Sequence, residues 1–488
     1  MAILAIDAGT TGVTVLVVDE ACKILSRGYS EFPQLFPRPG WVEHAPDDIW
    51  AATLSATRDA LSSTDARLTA IGITNQRETV AIWDRATLQA PRPAIVWQDR
   101  RSSDIVHEMR ARAMERNIRN LTGLGLDPYF SSTKLLWLSR HEPDLWDRVH
   151  GGKYALGTID SYLIARLTNG AVHVTDATNA SRTQLVDLRT AEWDDELLDT
   201  FDVPRSALPD IVPSYGTAGT SDPSAFLGMT LPIAGIAGDQ QAALFGQAAF
   251  EPGDTKCTYG TGAFILMNTG PRIVVSEHGL LTTVALQSAD GRLQYALEGS
   301  VFAAGAAVQW LRDGLGIIRS ASEIEGLADS VADSDGVVFV PALTGLGAPH
   351  WDPHARGTLL GITRGTTAAH IARATLEAIA FQVADVVEAM LADSRRSLPA
   401  LRVDGGAAQN DLLMRMQADA LGVPVVRANS VEMTGLGAAF LAGLGTGAWK
   451  NLSELRRAVH IDATFDPSGA TLGRELWHRA LERAADWA

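Results

Sequence analysis

Cysteine is scarce in this chain. Only Cys22 and Cys257 occur among its 488 residues. They stand far apart and lack the short spacing that a zinc knuckle requires. Neither a disulfide framework nor a cysteine metal site is therefore expected.

Positive charge is also in short supply. Lys and Arg total 41 against 57 Asp and Glu, which gives a formal net charge of −16. A nucleic-acid partner needs a basic face for the phosphate backbone, so no such partner is expected. An anionic nucleotide would have to be bound locally, by backbone N–H groups and a metal ion.

Long apolar runs are missing as well. No stretch reaches the ~18 uninterrupted apolar residues that a membrane span requires. The chain starts on a strand-like run, without the charged segment that opens a targeting peptide. We therefore expect a cytoplasmic protein with no membrane span. With 46% apolar and 20% charged residues the composition is globular, and the length predicts two or three domains.

The most informative stretch is residues 4–19, LAIDAGTTGVTVLVVD. Two short apolar runs flank Asp-Ala-Gly-Thr-Thr-Gly, which predicts a β-hairpin. Thr10, Thr11 and Gly12 in its turn offer N–H and hydroxyl groups to a polyphosphate. Asp7 at the strand end is suited to hold Mg²⁺ through water. Taken alone, an ordinary hairpin with a glycine turn explains the stretch equally well.

Two more glycine turns follow. Residues 255–267, TKCTYGTGAFILM, repeat the strand–turn–strand pattern, with Gly260 and Thr261 in the turn. Residues 401–410, LRVDGGAAQN, place a strand before a Gly-Gly turn and a helix-like segment. Two phosphate-type hairpins and a third glycine turn predict a nucleotide held between two similar halves.

Polar segments in the first half form a second group. They read NQRE (75–78), AIVWQ (94–98), DPYFS (127–131) and VTDATNASRT (174–183). Residues 68–84 predict a strand, a turn and a second strand, with Arg77 and Glu78 on the turn. Each of the four segments has an ordinary explanation by itself, such as a solvated Arg–Glu pair on a hairpin tip or a core tryptophan. Arg77 and Glu78 could instead form a polyol clamp, because a guanidinium that donates beside a carboxylate that accepts holds two neighbouring hydroxyls.

Residues 233–246, IAGIAGDQQAALFG, predict a strand that ends in Gly-Asp-Gln-Gln and runs into a helix. An aspartate at a helix start is usually a cap, and Asp239 has that explanation on the residues alone. As a general base it would instead accept the proton of an attacking hydroxyl during phosphoryl transfer.

Together these segments resemble the FGGY family of carbohydrate kinases, within the actin-like ATPase superfamily, from residue 4 to about 449. The resemblance implies an α/β fold of two ribonuclease-H-like domains, 1–245 and 246–488, with mixed sheets flanked by helices and a cleft between them. It implies ATP and Mg²⁺ as cofactors and phosphorylation of glycerol to sn-glycerol 3-phosphate. The alternatives are a kinase for another small polyol or ketose, and an actin- or chaperone-like ATPase module. A homodimer and a homotetramer both stay open.

The resemblance also implies roles for individual residues. Asp239 is implied as the catalytic base, and Asp7 as the metal ligand, shared with Asp239. The implied acceptor-binding residues are Arg77, Glu78, Trp97, Tyr129, Asp239, Gln240 and Phe264. The implied nucleotide-binding residues are Thr10, Thr11, Gly12, Gly260, Thr261, Gly305, Gln309, Gly406 and Asn410. Residues 296–311, which include Gly305 and Gln309, are predicted to form one small-residue helix.

Two positions depart from the family pattern. Thr14 stands where relatives carry a basic residue after the opening turn, so we expect normal chemistry with weaker phosphate affinity. Thr230 stands where relatives inhibited by fructose 1,6-bisphosphate carry an arginine, so we expect no inhibition by that sugar. The tail, predicted to be helical and charged from about Leu452, lacks a match to the partner-binding segment of regulated relatives.

Overall fold

The computed structural model describes residues 1–470 and 473–488. The strands of the first half of the chain are β1 (Ala2–Ala8), β2 (Gly12–Asp19), β3 (Ile24–Glu31), β4 (Glu43–His44), β5 (Leu68–Asn75), β6 (Ala81–Asp84), β7 (Ala94–Ile95), β8 (Tyr154–Gly157), β9 (Val174–Asp176), β10 (Val186–Asp187), β11 (Glu192–Trp193), β12 (Asp210–Val212), β13 (Tyr215–Thr220) and β14 (Pro232–Gly238). Those of the second half are β15 (Thr255–Tyr259), β16 (Ala263–Gly270), β17 (Leu281–Gln287), β18 (Leu293–Val301), β19 (Val338–Val340), β20 (Thr358–Leu360), β21 (Leu401–Asp404), β22 (Val425–Ala428) and β23 (Ile461–Phe465).

The helices are α1 (Pro46–Ser62), α2 (Ser103–Ala111), α3 (Glu115–Thr122), α4 (Ser131–His141), α5 (Pro143–His150), α6 (Ile159–Leu167), α7 (Ala177–Ala180), α8 (Asp195–Thr200), α9 (Asp239–Gly246), α10 (Gly305–Asp313), α11 (Glu323–Asp329), α12 (Ala368–Ser394), α13 (Asp411–Leu421), α14 (Met433–Thr446), α15 (Leu452–Ala458) and α16 (Arg474–Ala484). Short 3₁₀ turns lie at Arg205–Ala207 and Gly406–Gln409. No helix among these described residues is long and apolar enough to cross a membrane.

Six strands of the first half form the sheet of what we call the N-terminal lobe. Their order is β13-β14-β5-β1-β2-β3, in which β1, β2 and β3 are antiparallel while β5 and β14 run parallel to β1. Both faces are buried, which is why β1 and β2 read as continuous apolar runs. On one face Leu4 and Ile6 pack with α1 and α6, and on the other Ile3 and Ala5 pack with α14.

The C-terminal lobe is built on a sheet of seven strands in the order β17-β18-β16-β15-β21-β22-β23. Strands β18, β16 and β15 are antiparallel, and β21 and β22 continue parallel to β15. This repeats the arrangement of β3, β2, β1, β5 and β14 in the other lobe. The predicted pair of α/β domains with mixed sheets flanked by helices is confirmed.

Two helices connect the lobes, because each one packs on the sheet of the opposite lobe. Helix α9 follows β14 of the N-terminal lobe, yet its Leu244 packs on Leu266 and Ala296 of the C-terminal sheet. Helix α14 follows β22 of the C-terminal lobe, yet it covers one face of the N-terminal sheet. The lobes are thus interleaved here, and the division after residue 245 stays a prediction.

Three predicted elements differ from the structure. Strands β5 and β6 form as expected but are not a hairpin, because β6 pairs with β8 in a separate small sheet. Residues 296–311 are not one helix: β18 runs to Val301 and α10 begins at Gly305. Hydrogen bonding of β18 to β16 and β17 outweighs the weak helix preference of its small residues. The tail carries β23 between two helices, and its residues 471 and 472 lie outside the described residues.

Candidate active site

The two predicted glycine hairpins form, and each turn is closed by a hydrogen bond between two of its glycines. The N–H of Gly9 donates to the carbonyl of Gly12 at 3.0 Å, and the N–H of Gly260 donates to that of Gly262 at 2.9 Å. In each case an antiparallel strand pair lies at the centre of its lobe. The two turns therefore occupy equivalent positions in the two sheets.

The second hairpin turn packs on the start of α10. The N–H groups of Ala304 and Ala306 donate to the Thr261 carbonyl at 3.0 and 2.9 Å, and the N–H of Gly305 donates to the Gly260 carbonyl at 3.0 Å. A Cβ atom at Gly305 would lie only 2.6 Å from that carbonyl oxygen, so this close approach requires glycine. Gln309 follows one turn later on the same helix.

The third glycine turn leads from β21 into α13. Gly406 begins a 3₁₀ turn, with no atom close to where its side chain would be. Asn410 caps α13, since its side-chain oxygen accepts the Leu413 N–H at 2.8 Å. Because β21 lies beside β15, this turn and the hairpin turn at Gly260 lie on neighbouring parallel strands.

Arg77 lies at the centre of the polar cleft and is 2% exposed. Its Nε is 3.1 Å from Asp239 Oδ1. Its Nη1 and Nη2 donate to the two oxygens of Glu298 at 2.6 and 2.8 Å, and further to Gln241 at 3.2 Å and the Tyr129 hydroxyl at 3.3 Å. The terminal nitrogens of the guanidinium thus donate to protein acceptors, and Nε forms an ion pair with Asp239. Arg77 orients its neighbours in addition to lining the cleft.

Glu78 is buried beside Arg77, which excludes a solvated pair at a loop tip. Its Oε1 accepts from Arg182 Nε at 2.8 Å and lies 3.7 Å from Arg77 Nε. Its Oε2 has no hydrogen-bond donor among residues 1–470 and 473–488. One carboxylate oxygen is therefore structural, and the other is available to a ligand hydroxyl.

Asp239 begins α9 at the end of β14, and its side chain is 28% exposed. Its Oδ1 also accepts the Gln240 N–H at 2.7 Å. Burial in the cleft raises the pKa of Asp239, while Arg77 and Lys256 oppose the rise and Glu78 adds to it. A carboxylate whose pKa moves toward ambient pH is a better proton acceptor than an ordinary surface aspartate.

Aromatic rings from both lobes line the same cleft. The ring centroids of Trp97 and Phe264 are 6.3 Å apart, and those of Trp97 and Tyr129 are 5.5 Å apart, both edge-to-face. Trp97 Nε1 donates to Thr10 Oγ1 at 3.0 Å, which ties this apolar wall to the first glycine turn. The sequence placed Trp97 and Phe264 together only by resemblance, and the structure brings them together.

A short hydrogen-bond chain connects the first glycine turn to the Arg77 loop. Gln76 Nε2 donates to the Gly9 carbonyl at 3.0 Å, and Gln76 Oε1 accepts from Thr79 at 2.7 Å. The Thr79 hydroxyl in turn accepts the Trp97 N–H at 3.2 Å. The loop that carries Arg77 and Glu78 is thereby held at a set distance from the turn that carries Thr10 and Thr11.

Lys134 anchors the segment that carries Tyr129. Its ammonium donates to the carbonyls of Pro128, Tyr129 and Phe130 at 2.7, 2.6 and 3.0 Å, and it is fully buried. Burial lowers the pKa of Lys134 from 10.5 to about 7. The ammonium makes these three hydrogen bonds, and within residues 1–470 and 473–488 it has no carboxylate partner within bonding distance.

We expect Lys134→Met to destabilise the protein, by a margin that grows as the pH rises from about 7 to about 10. The folded pKa lies below the ordinary value, so in this range the unfolded chain binds more protons and the stability of the wild type increases with pH. The methionine variant lacks this titration and removes the Lys134 donor from three buried carbonyls, and a buried carbonyl left without any donor costs about 1–3 kcal/mol. Urea unfolding across this range measures the margin, with exposed Lys153→Met as the control. If the stability difference between wild type and variant decreased as the pH rises, the lowered pKa of Lys134 would be contradicted.

Asp7 lies at the end of β1, opposite Thr14 on β2. Burial, with the nearby charges of Asp239 and Glu432, raises its pKa to about 8. Two carboxylates that destabilise each other's charge are a donor set that a divalent cation would stabilise, so these residues fit Mg²⁺. Among the described residues no group of three or more His, Cys, Asp or Glu could hold a metal. Mg²⁺ usually takes one or two carboxylates together with phosphate oxygens and water.

The two departures from the family pattern, Thr14 and Thr230, differ in burial and in the element that carries them. Thr14 is buried and shares a face of the sheet with Asp7, because the two are cross-strand partners. Thr230 is exposed in the loop before β14. The expected insensitivity to fructose 1,6-bisphosphate stays a prediction.

The sequence did not predict the buried charged residues that contact the cleft residues. Glu298 and Lys256 are fully buried, and Arg182 lay in a quoted segment without a role. The Lys256 ammonium donates to the side-chain oxygen of Gln240 and to Thr258. A lone charge inside a run of small or apolar residues was the available signal, because such a charge is buried only with partners.

Comparison with known proteins identifies the family of the chain. Models of the FGGY family of carbohydrate kinases match residues 2–246 as the N-terminal domain and 255–446 as the C-terminal domain. A glycerol kinase of Trichlorobacter lovleyi is 54% identical, covering 100% of this chain and 99% of that protein. One of Myxococcus xanthus is 52% identical, covering 99% of each.

Solved structures agree as well. The crystal structure of Plasmodium falciparum glycerol kinase with ADP has a TM-score of 0.90 at 37% identity, covering 99% of this chain and 98% of that one. A xylulose kinase from Lactobacillus acidophilus has a TM-score of 0.89 at 24% identity, covering 99% and 97%, and shows the fold alone. Fold and cleft together define a carbohydrate kinase. The chain belongs to the FGGY family.

Proposed function

We propose that this protein transfers the γ-phosphoryl group of ATP to a terminal hydroxyl of glycerol, giving sn-glycerol 3-phosphate. One observation carries the proposal: Arg77, Glu78, Tyr129 and Asp239 of the N-terminal lobe meet Phe264 of the other lobe in one cleft. The full-length relatives named glycerol kinase support it.

The acceptor-binding residues suit a small triol. Glu78 Oε2 accepts one hydroxyl, and the side-chain NH₂ group of Gln240 donates to another, because its side-chain oxygen already accepts a hydrogen bond from Lys256. Trp97 and Phe264 cover the carbon backbone. Arg77 and Tyr129 lie beside these groups and are hydrogen-bonded to each other.

Asp239 is the proposed general base. It accepts the proton of the attacking hydroxyl as the phosphoryl group is transferred, and Arg77 Nε holds its carboxylate in place. Phosphoryl transfer asks mainly for in-line positioning and charge neutralisation, so a single base and a rigid cleft suffice. Placing the site between two lobes excludes water, which would otherwise compete as the acceptor.

The proposed nucleotide site combines the three glycine turns. Backbone N–H groups and hydroxyls of the two hairpin turns face the phosphates, while α10 and the turn before α13 hold the nucleoside. The residues in these roles are Thr10, Thr11, Gly12, Gly260, Thr261, Gly305, Gln309, Gly406 and Asn410. Asp7, with Asp239 beside it, would hold a Mg²⁺ ion that neutralises phosphate charge when bound. The relative solved with ADP supports nucleotide binding by this fold.

A coupled assay of ADP release tests the proposal. Glycerol, dihydroxyacetone, erythritol and xylulose are supplied in parallel with ATP and Mg²⁺, and glycerol is expected to give the highest kcat/KM. Highest activity on xylulose or erythritol would instead indicate a kinase for another polyol or ketose. ATP hydrolysis that is indifferent to all four compounds would indicate an ATPase module. Cytoplasmic location and a homodimeric or homotetrameric state stay predictions.

We expect Thr14→Lys to lower the KM for ATP by about 5- to 10-fold with kcat within about 2-fold. The new ammonium would lie on the face that carries Asp7, and a nearby opposite charge in a partly screened cleft is worth on the order of 1 kcal/mol or more. Initial rates at saturating glycerol measure the effect. Exposed Thr87→Lys is the matched control. An unchanged KM for ATP would mean that the missing charge at position 14 is irrelevant to phosphate binding.

A further inference from the structure

A buried carboxylate of the C-terminal lobe lies directly behind the acceptor-binding residues. Glu298 is fully buried in β18. Its oxygens accept from Arg77 at 2.6 and 2.8 Å, and from Arg182 Nη2 at 3.0 Å. Both arginines belong to the N-terminal lobe, so this ion cluster joins the two lobes.

The geometry of this cluster determines where the Arg77 guanidinium points. A bidentate carboxylate engages the two terminal nitrogens together, while Nε lies 3.1 Å from Asp239 Oδ1 in an ion pair. Gly238 confines the same side chain from the other side, since a Cβ there would lie 2.7 Å from the Arg77 side-chain carbons. Arg77 is thus held by Glu298 and packed closely against Gly238.

The support for Glu298 is rigid. It lies in the interior of the sheet, paired with Leu266 of β16 on one side and Leu281 of β17 on the other. Although burial alone would raise its pKa, Arg182 and Arg77 hold the pKa of Glu298 at about 2, so the carboxylate is ionised at every working pH. Arg77 itself lies in the loop after β5 and has no such backbone support.

We propose that Glu298 is a positioning residue of the acceptor site, which acts through Arg77 to aim it at Asp239 and Tyr129. It follows that the acceptor site is complete only when both lobes contribute to it. The inference rests on the proposed function, because acceptor binding is the property that it explains.

Two substitutions separate positioning from simple charge compensation. Glu298→Gln keeps the shape but removes the charge and turns one oxygen into a donor that faces the Arg77 donors. Glu298→Asp keeps the charge but shortens the side chain, so the bidentate contact with Arg77 and the contact with Arg182 cannot both be made. If Glu298 only balances charge, the aspartate variant behaves as the wild type. If it positions Arg77, both variants are impaired.

The experiment measures kcat and the KM for glycerol and for ATP in the wild type and both variants. We expect the KM for glycerol to rise at least about 10-fold in Glu298→Gln and about 5-fold in Glu298→Asp, with the KM for ATP within about 2-fold. Glu377→Gln is the matched control, because Glu377 is likewise an arginine-paired glutamate of the C-terminal lobe, although it is only partly buried.

Each outcome decides the inference. A wild-type KM for glycerol in either variant overturns it, and so does an equal rise in both KM values, which would indicate general distortion of the cleft. If Glu298→Gln does not fold, the aspartate variant alone decides, since it keeps the buried charge. A wild type without glycerol-dependent ADP release overturns the proposed function and this inference together, whereas an active wild type with unaffected variants overturns only the inference.

Discussion

Replacing Asp239 by asparagine is expected to lower kcat for glycerol phosphorylation by about 10²- to 10⁴-fold, with the KM for ATP within about 3-fold. The amide oxygen can still accept the Gln240 N–H and lie beside Arg77 Nε, so the local geometry is retained. What is lost is the ability to accept a proton from the attacking hydroxyl. ADP release at saturating glycerol and ATP measures the change.

A matched substitution controls for the loss of an acidic residue. Asp195→Asn removes a carboxylate whose side chain is 84% exposed at the start of α8, and it should leave kcat unchanged. If Asp239→Asn phosphorylated glycerol at the wild-type rate, the general-base assignment would have to be abandoned. Glycerol-independent ATP hydrolysis, measured in the same preparations, shows whether the variant still binds nucleotide.

Replacing Glu78 by glutamine is expected to raise the KM for glycerol by about 10- to 100-fold, with a smaller change in kcat. One oxygen of Glu78 already accepts from Arg182, and the other is proposed to accept a glycerol hydroxyl. The glutamine side chain has one oxygen, which can accept from Arg182 or from the glycerol hydroxyl but not from both. Its NH₂ group must then face the other donor. Initial rates over a wide range of glycerol concentration give the KM.

The control for Glu78 is Glu192→Gln, an exposed glutamate in β11 of the same lobe. It should leave both KM values unchanged. A rise in the KM for ATP equal to the rise for glycerol would contradict a specific acceptor contact, because it would mean that the whole cleft had been disturbed.

Local patterns predicted the parts of the site that depend on turn chemistry. The hairpins at residues 9–11 and 260–262 formed as expected, since strand runs and glycine turns are encoded by adjacent residues. The start of α9 at Asp239 followed for the same reason. These segments carry the proposed base and the proposed phosphate contacts, so the sequence predicted the local structure around both.

Other parts could not be derived locally. Residues 296–311 were predicted as one helix, and this placed Glu298 on a helix rather than in a central strand. Residues 68–84 were predicted as a hairpin, but β5 and β6 belong to two separate sheets, and the loop that carries Arg77 connects them. Both errors arise because strand pairing is decided by distant neighbours, which short windows of sequence do not contain.

The amino-acid sequence by itself determined the repeated strand–turn–strand segments, the lack of a disulfide framework, and the family to which this chain is similar. Only the tertiary structure decided which charges meet: Arg77 with Glu298 from 221 positions away, and Trp97 with Phe264 across the cleft. The physical reason is that a buried ion pair or an aromatic contact depends on how two lobes pack together. Nothing in the neighbouring residues of either partner encodes that packing.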